Sequence, residues 1–301
     1  MSSPSDPRPS GVIHDIGYRP YTGERLGEGA VAWSLFRTGV RNCFGLGRSA
    51  RSKVLPMSLL GAMLLPAVVL VAVLVQAGEV LGLTGQIVPY SRYALITQVV
   101  ISVFVAAQAP ALISRDLRFR TITLYLARPL RRSTYVLVRL ASLLVAVFAL
   151  VAAPLLVLYV GGLLAELPPA RETELFLAAL VGALLLAAVL SGLAALIAAV
   201  TTRRGLAVAG ITVVLVVSYT VVTAVQGLGT EEGMPRLAEF AGLFSPYTLV
   251  DGVQVWLFDV AASTPAPPTG RTGVLFLLTA LAVVAGCVVA LLARYRKATV
   301  L

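Results

Sequence analysis

The sequence predicts an all-α, polytopic membrane protein with six transmembrane helices, and three observations carry that prediction. The chain of 301 residues is 58% apolar and 13% charged, with a mean hydropathy of +0.91. Soluble domains run nearer ~45–50% apolar and ~25% charged. Six segments free of Asp, Glu, Lys, Arg and His stand at 54–77, 93–113, 140–161, 175–200, 205–226 and 272–293. Each can cross a hydrocarbon core of ~30 Å at ~1.5 Å per residue. The third observation is charge placement. If the N-terminal tail is cytoplasmic, twenty basic residues fall inside and only Arg92, Arg171, Arg236 and Arg271 outside, while nine of the fourteen acids fall outside. Lys and Arg favour the cytoplasmic side of short loops, so both chain ends are expected there.

The elements follow in order. Residues 1–23 hold four prolines and little that could build a core, and are expected to be a disordered or extended cytoplasmic tail. No short apolar stretch with a small-residue cleavage site stands near the start, so the first span is expected to lead the chain into the membrane. Residues 24–53 read as an amphipathic interfacial helix. Val31, Leu35 and Thr38 lie near one face, Trp33, Phe36 and Val40 beside it, and Arg37, Arg41, Arg48, Arg51 and Lys53 supply charge. A solvated juxtamembrane helix is the alternative. Residues 54–301 form the six-helix transmembrane domain, with Pro56, Pro66, Pro110 and Pro154 expected to kink its helices. Its extracytoplasmic loop, 227–271, contains a tempting seventh apolar stretch at 237–258. Glu239, Asp251 and a Ser-Pro step count against a crossing there, since each charge at mid-bilayer would cost ~3 kcal/mol or more. Outer-face re-entrant or interfacial helices are expected instead, with Tyr247 and Trp256 at headgroup level.

Several chemistries are not supported by the residues. The net charge of +10 sits in cytoplasmic loops, not in a nucleic-acid-binding patch. Cys43 and Cys287 are isolated, and His14 is the only histidine, so no disulfide framework or metal site is expected. Neither lysine follows a glycine, which excludes the Gly-Lys step of a phosphate-binding loop. Any nucleotide that powers the protein therefore has to be bound by another chain. Ion-coupled transport usually places ionisable groups at membrane depth, and the six spans offer none. Polar side chains remain in the spans, and Gln98, Gln108, Tyr219 and Thr223 are candidates to line a path. Cross-linking of helices by buried amides and hydroxyls is the alternative.

One loop asks for more than a hinge does. The segment SRDLRFRTITLYLARPLRRS, residues 114–133, carries six arginines and one aspartate. Phe119, Ile122 and Leu126 share one helical face, and Pro129 forces a break. Within the cytoplasmic loop 114–135, the residues from Thr121 to Arg132 resemble the coupling segment of type-two permeases of ATP-binding cassette (ABC) exporters. Asp116 falls on the acidic position, Thr121 on the threonine, Leu124 and Leu126 on the leucines. Ala127 and Pro129 match an Ala-x-Pro step, and Arg131 or Arg132 the closing arginine. Arg120 stands where a glycine is usual, and Arg118 where a second acid is common. FSPYTLVDG, residues 244–252, is similar to the Ser/Asn-Pro segment found between the last two spans of that family.

That resemblance implies a permease subunit that is not itself an enzyme. It would work as a homodimer or a related heterodimer with cytoplasmic ABC ATPase subunits that carry the ATP and magnesium. The expected cargo is apolar or amphipathic. The coupling segment would dock on the ATPase through Asp116, Arg118, Phe119, Thr121, Leu124, Tyr125, Leu126, Arg128, Pro129 and Arg132, with Phe119 and Tyr125 as aromatic anchors. Anionic membrane lipids are the competing partner for the arginines. The expected location is the cytoplasmic membrane of a bacterium. A non-transporting membrane scaffold and an ion-coupled carrier are the alternative functions.

Overall fold

The computed structural model describes residues 23, 27–47, 49–81, 85–114, 116, 130–201 and 203–297, and among these it is helical without strands. Helix α1, Glu28–Cys43, is followed by α2, Ala50–Leu81. A short α3, Tyr90–Ile96, leads into α4, Gln98–Leu112. Helices α5, Arg132–Leu164, and α6, Pro169–Val200, form the long central hairpin. The next rod begins as α7, Arg204–Thr212, passes through a π-helical stretch, Val213–Val217, and ends as α8, Ser218–Glu231. Helices α9, Pro235–Ala241, and α10, Pro246–Phe258, precede the last helix α11, Thr272–Lys297.

Five helices are long and apolar enough to cross a membrane, and α3 with α4 makes a sixth if that pair is one span. They coincide with the six apolar segments of the sequence. The pair is bent by 62°, and the break falls at Thr97, not at a proline. Thr97 has φ −96° and ψ 11°, and its Oγ1 donates to the Tyr93 carbonyl at 2.8 Å. Pro56 and Pro66 in α2, Pro110 in α4 and Pro154 in α5 all lie inside continuous helices. Helix boundaries also shift: α2 starts before residue 54, α5 at Arg132 and α6 at Pro169 start ahead of their apolar runs, and α8 runs through 227–231, which the sequence had suggested were loop.

Helix α6 is the centre of the bundle, the most buried of the long helices. Its inward face is built from Gly182, Ala183, Ala187, Ala194, Ala195 and Ala198, small residues that let neighbouring backbones approach. Around it pack Phe104, Leu143, Leu150, Leu155 and Leu158, all fully buried. Outward faces are apolar as well: Leu65, Val68, Val69 and Val73 of α2 are exposed. An uncovered apolar stripe of that length suits a lipid environment or a second membrane chain.

Helix ends sort into two groups. Ser114, beyond α4, donates to the Ala198 carbonyl at 2.5 Å, and Arg294 of α11 reaches the Ala199 carbonyl at 3.5 Å. Tyr295 lies against Tyr135 in the first turn of α5, their ring centroids 6.1 Å apart. The end of α4, the start of α5, the end of α6 and the end of α11 thus meet, and α1 joins them. At the opposite end Gln86 donates to the Leu158 carbonyl and to Glu172. Helix α1 and the end of α11 share one end, the arginine-rich one.

The amphipathic helix is shorter than expected and docks on α5. It stops at Cys43, and Gly45 and Gly47, with φ of +67° and +82°, turn the chain towards α2. Its buried face is Leu35, Gly39 and Cys43, while Thr38, expected near that face, is exposed. Gly39 is what allows the approach: a Cβ there would lie 2.4 Å from the Ser142 hydroxyl oxygen of α5. That hydroxyl donates to the Phe36 and Val138 carbonyls. Gly39→Leu should therefore undock α1 and lower thermal stability in detergent by about 1–3 kcal/mol. Gly29→Leu, at a site with nothing within 4 Å, should leave the melting curve unchanged.

Candidate functional site

The segment that resembles a coupling loop leaves the bundle at Ser114 and returns at Leu130. Asp116 marks its departure and Arg132, exposed at the start of α5, its return. Arg118, Phe119, Thr121, Leu124, Tyr125, Leu126, Arg128 and Pro129 lie outside the described residues.

Asp116 is buried, and its carboxylate is held by this chain's own residues. The Arg139 guanidinium donates to its Oδ2 at 2.7 Å and the Tyr135 hydroxyl donates to the same oxygen at 2.5 Å. Both side chains of the ion pair are 7% exposed. The guanidinium also stacks over the Tyr135 ring, 5.4 Å from its centroid. Tyr135 and Arg139 stand four apart on one face of α5, which aims them together at the root of the loop. Asp116, a candidate for contact with a partner chain, is held within this chain by Tyr135 and Arg139 at the root of the loop.

A second tie holds the returning strand of the loop. Glu28, the first residue of α1, accepts from the Arg131 main-chain N–H at 3.1 Å and from the Thr134 hydroxyl at 2.7 Å. Its other oxygen lies 3.6 Å from the Arg131 guanidinium. The carboxylate thereby caps the N-terminus of α5 from outside that helix, where an anion is favoured by the helix dipole. The Thr134 hydrogen bond, then the Arg131 main-chain bond, hold the Glu28 carboxyl below the usual range. With the folded value depressed, this tie is present above the ordinary glutamate range and is lost as pH falls through the folded value.

The interior candidates form a partial cluster. Tyr247 of α10 is buried, its hydroxyl sharing a hydrogen bond with Ser102 at 2.8 Å and donating to the Gln98 carbonyl at 3.0 Å. Tyr219 of α8 meets the Tyr247 ring edge-on at 6.1 Å. Gln98, Tyr219 and the start of α10 are thus brought together. Tyr247 stitches α10 to α4 and is not the interfacial anchor the sequence suggested. Thr223 spends its hydroxyl on the Tyr219 carbonyl, in the helix-bonding role weighed as the alternative. Gln108 is buried one helical stretch further along α4.

The two acids in 237–258 bind the loop that follows. Asp251 Oδ2 accepts from the Ser263 main chain at 3.3 Å and the Thr264 hydroxyl at 3.2 Å. Glu239 Oε1 accepts from the Thr269 N–H at 2.5 Å, from the Thr269 hydroxyl and from Thr272 at the start of α11. These latches fasten the α9–α10 hairpin to α11. Sequence reading saw the acids only as charges to be kept out of lipid; the Ser/Thr-rich run from 263 to 272 was the available signal.

Among the described residues no group of His, Cys, Asp and Glu could hold a metal ion. No protein-family model matches the chain, and no curated protein matches it either.

The ion pair yields a mutational test. Asp116→Ala removes the carboxylate that pairs with the buried Arg139 and should cost about 3–5 kcal/mol in unfolding experiments. The double variant Asp116→Ala with Arg139→Met should recover most of that loss, the pattern of a coupled pair.

Proposed function

We propose that the chain is the membrane-spanning subunit of an ATP-driven ABC exporter of the type-two class. Two permease copies work with two separate cytoplasmic ATPases, which bind ATP and magnesium. The arginine-rich end of the bundle is the cytoplasmic one, in keeping with the charge bias of the sequence. The α9–α10 hairpin then enters from the outer side between spans five and six. One observation carries the reading: the loop that resembles a coupling segment is anchored at both roots, by Asp116–Arg139 on one side and Glu28–Arg131 on the other.

The physics of coupling follows from those anchors. A loop on flexible tethers would absorb displacement by a partner. A loop whose departure is ion-paired to α5, and whose return is the capped first turn of α5, passes displacement into that helix. Helix α5 packs on α1, α2 and α6, so motion at the loop reaches the first, third and fourth spans together. Phe119 and Tyr125 supply aromatic anchors, and Arg118, Arg128 and Arg132 supply cations for acids on the ATPase. The apolar stripe on α2 offers a face to the second permease copy or to lipid.

Co-purification tests the proposal. The full-length chain, expressed with its cognate nucleotide-binding subunit, should retain that subunit through detergent extraction. Phe119→Ala with Tyr125→Ala should reduce the retained ATPase about tenfold or more, the loss expected of hot-spot residues at ~2 kcal/mol or more. Unchanged retention and unchanged ATP-dependent transport in that variant would remove the coupling assignment.

A further inference from the structure

We propose that an open cleft between α6, the π-helical stretch and α10 binds a single-chain amphiphile through a carboxylate or carbonyl oxygen on its head. This names a substrate class for the exporter proposed above and rests on that reading only for the word substrate. The cleft holds about 630 Å³, within the range of ~300–1,000 Å³ usual for small-molecule sites. Its walls are apolar, with Val189 and Leu193 on α6, Val214 and Val217 in the π stretch, Val222 on α8 and Val283 on α11.

The polar feature of that wall is Ser245. It is 1% exposed, lines the cleft, and its hydroxyl has no hydrogen-bond partner. It occupies the N-cap position of the 13-residue α10, yet its side chain does not cap the helix. Pro246, at the first helical position, has no N–H. The main-chain N–H groups of Tyr247 and Thr248 in that first turn are therefore left without their usual serine cap. The other hydroxyl of the wall, Ser218, is spent on the Val214 carbonyl. A buried, unpartnered hydroxyl at an uncapped helix N-terminus presents a donor and positive potential to the cleft. The complement is an acceptor oxygen, and the complement of the valine walls is a hydrocarbon chain.

The depth of the site supports this occupant. The cleft residues of the π stretch and α8 lie roughly 13–27 Å along the rod from Arg204, and Val189 roughly 16 Å from Val200, at ~1.5 Å per residue. Val200, Arg204 and the end of α11 share the arginine-rich end, so the Ser245–Pro246 step stands near the middle of the spans. A helix that starts at mid-depth beside a cleft places its positive end where transport proteins use broken helices to meet a substrate's acceptor group. A π-helical turn facing the same cleft widens its wall, and such turns gather at functional sites.

Photolabelling of the purified full-length chain in nanodiscs tests the site. One probe is a diazirine-bearing palmitic acid, the other a diazirine-bearing hexadecane without the carboxylate, with labelled residues located by peptide mass spectrometry. The acid should label cleft residues more strongly than the alkane, and Ser245→Ala should lower acid labelling about three- to tenfold while leaving alkane labelling unchanged. Equal labelling by the two probes, or acid labelling unaffected by Ser245→Ala, would overturn the proposal. Phe244, exposed at the rim, supplies a second measurement. A Phe244→Cys chain that oxidises to a disulfide dimer and excludes both probes would show the cleft to be a contact between copies, and would also overturn it. Labelling is read on the chain alone, so its failure leaves the ATPase docking assignment standing, and loss of ATPase binding leaves the labelling result intact.

Discussion

A carboxylate and a guanidinium, each 7% exposed, meet at 2.7 Å at the root of the second loop. Taking two such charges out of water costs several kcal/mol per ion, so the pair persists only because its geometry and its further hydrogen bonds repay that cost. Tyr135 supplies one of those bonds and a ring face for Arg139. The consequence is positional. Asp116 cannot leave without breaking its buried pair with Arg139, which holds the departing root of the loop against α5. Helix α1, seated on α5 through Gly39 and bonded through Glu28, completes the collar at that end. The coupling mechanism proposed for this chain needs such a collar, since force enters a bundle only through a root that does not yield.

The opposite face of the same bundle is organised by hydroxyls and amides. Glu239 and Asp251 hold the run from 263 to 272, and Tyr247 ties α10 to the start of α4. These bonds occupy both acids of a helical hairpin whose α10 packs against α6 and α11. Gly182 marks how close that packing is: a Cβ on it would fall 2.1 Å from the Gln254 side chain. Where this hairpin begins α10, the buried Ser245 hydroxyl has no hydrogen-bond partner and lines the valine-walled cleft.

Much of the architecture was legible from composition alone. Charge-free runs of about 20 residues locate the long helices because hydrocarbon tolerates little else, and the six runs coincide with α2, the α3–α4 pair and the four later rods. The cluster at Gln98, Tyr219 and Tyr247 was half legible, as polar residues in apolar runs. The anchors were not. Asp116 and Arg139 stand 23 positions apart, and Glu28 and Thr134 stand 106 apart. Periodicity encodes the face of one helix and says nothing of which distant residue that face will meet. Arg139 was counted among loop cations because it sits one residue before an apolar run, and α1 was given an apolar stripe through Thr38 because a glycine adds nothing to hydrophobic periodicity. The bend at Thr97 escaped for a similar reason: prolines advertise kinks, while a threonine bonding back to its own helix does not.

The anchored loop 114–135 is proposed to dock on a separate nucleotide-binding chain. Site-specific photo-crosslinking from position 125 in native membranes tests it most directly, with position 166 at the other end of the bundle as reference. The account predicts one dominant adduct from position 125 to a cytoplasmic polypeptide that binds ATP, and none from position 166. Adducts from position 125 to lipid alone, or equal yields of the same protein adduct from both positions, would contradict it.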